Sequence, residues 1–76
     1  MAGLTPISWK EFERVLVFVG CTFRRETSSH RAWSKSGLQR PIIVPKYPAI
    51  PVYVIRNNLR TLGISVREYL EILQSM

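Results

Sequence analysis

Seventy-six residues suffice for one domain, and a chain this short buries only about 60–65% of the surface its unfolded form exposes, so its core is small. Hydrophobic residues at 46% and charged residues at 21% are globular values and exclude a disordered tail. Eleven Lys and Arg stand against five Glu and no Asp, with ten of the cations and three of the Glu in residues 1–60; a polyanion partner is implied, because clustered cations gain free energy by releasing counterions from phosphates. One cysteine, Cys21, and one histidine, His30, exclude an internal disulfide and the usual zinc sets, so no metal is expected, and they fit a reducing compartment. The apolar run 15–19 is too short for a signal or membrane segment, so the expectation is a cytoplasmic protein without membrane association.

In chain order, Ser8 followed three residues later by Glu11 is a capping-box pattern, with Ile7 and Phe12 placed as a hydrophobic staple. Trp9, Phe12, Val15, Leu16 and Val19 then recur at the spacing of one helical face, and Gly20 ends the helix. Residues 21–26, 29–35 and 40–44 are three short strand-like runs, separated by Thr27-Ser28 and by a turn containing Gly37. An antiparallel meander is the economical arrangement, with Pro41 and Pro45 confining the third run to an edge. Val52-Tyr53-Val54-Ile55 has strand propensity, but Val52, Ile55, Leu59 and Leu62 repeat with helical spacing before Gly63, so a second helix is predicted with Pro51 in its first turn. Ser65 and Glu68, with Ile64 against Tyr69, repeat the capping grammar and open a third helix running to about Gln74. The predicted order is α-β-β-β-α-α, an α+β fold with helices on one face of a three-stranded antiparallel sheet and a single domain over 1–76.

The chemistry centres on His30, since imidazole is the side chain that passes protons near neutral pH, and a single copy among many cations points to a general base acting on a phosphodiester. The alternative is a hydrogen-bonded structural histidine. Ser29 would position His30 or bind a phosphate oxygen, although a serine entering a strand often only satisfies nearby backbone. Strand alternation puts His30, Ala32 and Ser34 on one face and Arg31, Trp33 and Lys35 on the other. Arg24, Arg25, Arg31, Lys35 and Arg56 are the candidate RNA-binding cations, each of which also reads as an ordinary solvated charge. Trp33 beside Arg31 and Lys35 has the character of a base-stacking platform, but core packing is favoured for it, as for Trp9, Phe12, Leu16 and Phe23. Cys21 is expected to be a small buried hydrophobe.

The segments Ser28-Ser29-His30-Arg31-Ala32-Trp33, Arg40-Pro41-Ile42-Ile43-Val44-Pro45 and Leu59-Arg60-Thr61-Leu62-Gly63-Ile64-Ser65, after a first helix, resemble the HicA-like (YcfA-type) toxins of toxin–antitoxin pairs over roughly residues 9–73. The resemblance implies a fold like that of double-stranded-RNA-binding domains, cleavage of mRNA and neutralisation by a HicB-like antitoxin. It carries His30 as the catalytic histidine, Ser29 as the motif serine and Ile55-Arg56 as the pair usually written Leu-Arg. Ser28 stands where the family usually has glycine, Arg31 where a second histidine is common, and Val54 and Asn58 where a threonine and an apolar residue are usual. The resulting expectation is a metal-independent endoribonuclease, an mRNA interferase that needs no cofactor. A non-catalytic RNA-binding module of the same fold, or an inactive adaptor for an acidic protein, stays open beside it.

Overall fold

The computed structural model describes residues 3–76. Its elements are α1 (Trp9–Phe18), β1 (Thr22–Glu26), β2 (His30–Ser34), β3 (Ile42–Pro45), α2 (Val52–Leu62) and α3 (Val66–Ser75), the predicted order of an α+β fold. The two serine caps form as their patterns require, with Ser8 Oγ accepting from the Glu11 amide at 3.2 Å and Ser65 Oγ from the Glu68 amide at 3.0 Å. At the first cap the box closes differently: Ser8 donates its hydroxyl to Glu11 Oε1. Gly63 ends α2 with φ +77°, a left-handed conformation that a residue with a Cβ adopts only at a cost. Pro51 sits one position earlier than expected, as the cap of α2, and its carbonyl accepts from the Val54 and Ile55 amides.

β2 is the central strand, antiparallel to β1 on one side and β3 on the other. Partners across the sheet share a face, so Trp33 lies with Phe23 and Ile42, and Arg31 with Glu26 and Val44. That face carries the core: Trp33, Ile42 and Val44 are buried against Phe12, Val15 and Leu16 of α1, Ile55, Leu59 and Leu62 of α2, and Tyr69 and Ile72 of α3. All three helices therefore cover one side of the sheet.

Two sequence expectations shift. Phe23 is 40% exposed rather than core, because every residue of the edge strand β1 is exposed and the helices do not reach it; its ring instead meets Trp33 edge-on with centroids 5.8 Å apart. The third strand begins at Ile42, later than position 40, and includes Pro45. Cys21 is buried as expected, and that burial pushes its thiol above the ordinary value while Lys35 pulls it back.

Tyr69 is the largest fully buried side chain, tilted against Phe12 at 6.2 Å, yet its hydroxyl finds no hydrogen-bond partner. Burial, aided by Glu11, pushes its pKa up to about 12. The folded state thus resists ionisation where an unfolded tyrosine already ionises near 10, so this contribution is full below pH 10 and is lost as pH rises through about 12. Tyr69→Phe removes the orphaned hydroxyl and the titration together. It is expected to stabilise the protein by about 1 kcal/mol at pH 7 and by roughly 1 kcal/mol more at pH 11, as read by urea unfolding of both proteins at both pH values.

Candidate active site

His30 begins β2 on the face the helices leave open, opposite Pro45 of β3. The hairpin that delivers it is tightly closed: the Thr27 amide donates to the His30 carbonyl at 2.8 Å, and the His30 amide donates to Thr27 Oγ1 at 3.2 Å. On the other side the Lys46 amide donates to the Ser29 carbonyl at 3.0 Å, so Ser29 and His30 are fixed from both neighbouring strands. Ser29 Oγ lies 2.9 Å from His30 Nδ1, which orients the ring of the exposed histidine and leaves Nε2 without a hydrogen-bond partner among the described residues. No non-glycine residue among the described ones has a positive φ, so Ser28 occupies the position of the family glycine without left-handed strain.

A groove opens beside the histidine. His30, Ile43, Pro45, Tyr47, Tyr53, Val54, Asn57 and Asn58 line about 330 Å³ along the β3 edge of the sheet, where the exposed side of α2 passes it. The groove is held in place at its rim, because Asn58 Nδ2 donates to the Ile43 carbonyl at 3.0 Å and so covers the outer edge of β3. Tyr47 is fixed through its backbone: its carbonyl accepts from the Trp9 amide at 3.1 Å and its amide donates to Pro45 at 2.8 Å. A second depression adjoins it along α2, sharing Ile43, Asn57 and Asn58 and adding Arg40, Pro41, Arg60 and Thr61.

The predicted site residues divide between the two faces. Arg25 pairs with Ala32 and so shares the open face, diagonal to His30 at the roughly 7–8 Å Cα spacing of such neighbours. Arg24 falls in the bulge between Phe23 and Arg25, exposed at the sheet edge. Arg56 is exposed on α2 but does not line the groove. Arg31 and Lys35 are not brought to the histidine. Lys35 lies just past the far end of β2, about 16 Å of extended chain from His30, with its stem near Gly20.

Arg31 faces α1 and is already engaged. Its Nε donates to Glu13 Oε2 at 2.5 Å and its Nη1 to Glu26 Oε1, while its guanidinium stacks 4.2 Å from the Phe23 ring and 5.4 Å from Trp9. Hydrogen bonding to Glu13, more than that to Glu26, raises its pKa, and hydrogen bonds from Lys46, 3.1 Å from Oε2, and then from Arg31 lower that of Glu26. Glu13 Oε2 also accepts from Trp33 Nε1 at 2.7 Å, so one carboxylate ties α1 to β2 through two donors. Arg31 and Trp33 thus form a structural lock on the covered face, with Arg31 held by two carboxylates on the side of the sheet away from His30.

The family model of the HicA toxin of bacterial toxin–antitoxin systems matches residues 9–64, from the start of α1 through the whole sheet and α2. The chain belongs to the HicA toxin family. Membership makes the protein the toxin of a toxin–antitoxin system and implies an antitoxin partner; α3 lies beyond the matched segment. No curated protein and no solved structure matches the chain. Among the described residues, no three His, Cys, Asp or Glu side chains gather as a metal-binding set, and no helix is long and apolar enough to cross a membrane.

The sequence reading of the toxin missed Tyr47, Tyr53, Asn57, Arg40 and Arg60. A signal existed for three of them: Tyr53, Asn57 and Arg60 recur at helical spacing on the side of α2 away from Ile55, Leu59 and Leu62.

The lock makes a separable prediction. Glu13→Ala leaves the buried Trp33 Nε1–H and the Arg31 guanidinium without their shared acceptor, and is expected to cost about 2 kcal/mol in urea unfolding. Glu13→Gln, which keeps an acceptor oxygen, should recover part of that loss; equal stability of the alanine variant and wild type would remove the lock from the account.

Proposed function

We propose that the toxin is a metal-independent endoribonuclease of the cytoplasm that cuts mRNA, with His30 as general base, and that a HicB-like antitoxin restrains it. The observation that carries this reading is the pairing of Ser29 Oγ with His30 Nδ1 at the mouth of an open-faced groove. With Nδ1–H donating to Ser29 Oγ, the lone pair of Nε2 is free to take the proton of a ribose 2′-OH. The 2′-oxygen forms a bond to the adjacent phosphorus, the bond from phosphorus to the 5′-oxygen breaks, and the leaving oxygen takes a proton from water. The products are a 2′,3′-cyclic phosphate and a 5′-hydroxyl end, and no cofactor takes part.

Charge on the phosphate is balanced by cations on the same face. Arg25 is the one that shares the sheet face with His30, and Arg24 at the sheet edge and Arg56 on the exposed side of α2 are the further candidates. Because the chain holds one histidine, a paired-histidine acid–base scheme is closed to it, and the expected rate is modest. General base help supplies about 10²–10⁴-fold, and fixed positive charge supplies the remainder.

His30 is exposed and outside the core, so His30→Ala is expected to fold and to bind RNA as the wild type does. Cleavage of single-stranded RNA in the presence of a chelator should fall by about 10²–10⁴-fold. Equal cleavage by the two proteins would refute the base assignment, and RNA binding without cleavage by the wild type would establish a non-catalytic module instead.

A further inference from the structure

The groove at His30 extends well past the atoms a single phosphodiester needs, and its lining changes character along its length. At the histidine end Tyr47 and Tyr53 are 44% and 67% exposed, large aromatic rings left in solvent on either side of one depression. At the far end stand Arg40 and Arg60, neither of which takes part in an ion pair among the described residues. Ile43, Asn57 and Asn58 line both depressions, so the two adjoin along the seam between β3 and α2. Tyr53 and Arg60 lie on the same helix seven positions apart, about 10 Å at 1.5 Å per residue. At a rise of about 3.4 Å per stacked nucleotide, that is the length of roughly three nucleotides.

Exposed aromatic faces together with unpaired cations along one surface are the means by which proteins hold an unpaired strand: bases stack on the rings and phosphates meet the cations. A duplex keeps its bases stacked inside and offers no unpaired base to two exposed tyrosines. We propose that the channel between β3 and α2 is an extended subsite for single-stranded RNA, in which nucleobases next to the cleaved bond stack on Tyr53 and Tyr47, and Arg40 and Arg60 hold the phosphate about three nucleotides away. This rests on the reading of His30 as the centre of RNA cleavage and adds to it the direction in which the substrate runs, from the histidine along α2 toward Arg60.

The site is built of rigid parts. Asn58 bonds α2 to the Ile43 carbonyl, the Trp9 amide bonds the Tyr47 carbonyl, and Ile55 and Leu59 anchor the opposite side of α2 in the core. Tyr53 and Arg60 are exposed, so changing them leaves the core intact.

The experiment measures binding in the non-cleaving His30→Ala background, by fluorescence polarisation of a labelled single-stranded hexaribonucleotide and of the same hexamer made abasic. Adding Tyr53→Ala is expected to weaken the intact hexamer by about tenfold or more and to leave the abasic one unchanged. Adding Arg60→Gln should weaken both and lower the slope of log affinity against log salt by about 0.7, the release expected for one single-strand phosphate contact. Arg67→Gln on α3 loses the same charge outside the channel and should leave the base-dependent discrimination and the slope at the parent values. Hexamer binding that survives both channel variants, or a blunt duplex that competes as well as the single strand, overturns the subsite. If the wild type cleaves nothing while both channel variants lose binding as described, the subsite stands and the catalytic reading falls; if it cleaves while both retain affinity, the reverse holds.

Discussion

The placement of the histidine, and of the side chains that face away from it, follows from the register of one strand. β2 is paired on both sides, Arg31 to Glu26 and Val44, Trp33 to Phe23 and Ile42, and His30 to Pro45, so the direction of each of its side chains is settled by its neighbours. A slip by one residue would send the histidine into the core and the tryptophan into solvent. The Glu13 carboxylate guards against such a slip, because Oε2 receives both Arg31 Nε and Trp33 Nε1, two donors that stand on the covered face only in this register. The hydrophobic core supplies the larger driving force, and the doubly engaged carboxylate supplies the discrimination between registers.

That two-faced strand also separates the cations by task. Arg31, Lys46 and Arg67 have carboxylate partners, while Lys10, Arg14, Arg24, Arg25, Lys35, Arg40, Arg56 and Arg60 have none among the described residues. Counterion release depends on the second group, since a guanidinium already bound to two carboxylates gains little from a phosphate. Of these, Arg25, Arg40 and Arg60 stand on the open face or in the channel beside it. The net charge alone therefore overstates how much of the surface is turned toward a polyanion.

The parts of this fold that were legible in the sequence are those governed by local rules. Ser8 and Ser65 cap their helices three residues before a glutamate, Gly63 ends α2 in the left-handed region, and the period of Val52, Ile55, Leu59 and Leu62 outweighs the strand propensity of the β-branched run in which it begins. Strand alternation likewise separated His30 from Trp33. What the chain does not announce is assembled across distance. The groove joins β3 to the polar side of α2, so Tyr53, Asn57 and Asn58 are brought beside His30 only once α2 has docked. Arg31 looks like a free cation in sequence because its acceptor Glu13 lies 18 positions away on another element. Phe23 has the composition of a core residue and fails to become one because β1 is an edge that no helix covers.

The central claim is that RNA meets the open face and the channel along α2, and not the face held by Glu13 and Arg31. Amide chemical-shift mapping of the His30→Ala protein, titrated with a single-stranded oligoribonucleotide, tests this most directly. The account predicts that the perturbed amides run from Arg25 and Ser29 through Ile43 and Tyr47 to Tyr53, Asn57 and Arg60, with Lys10, Glu13 and Arg14 unmoved. Perturbations gathered on Lys10, Glu13, Arg14 and Arg31 instead would place the RNA on the opposite side of the sheet and contradict it.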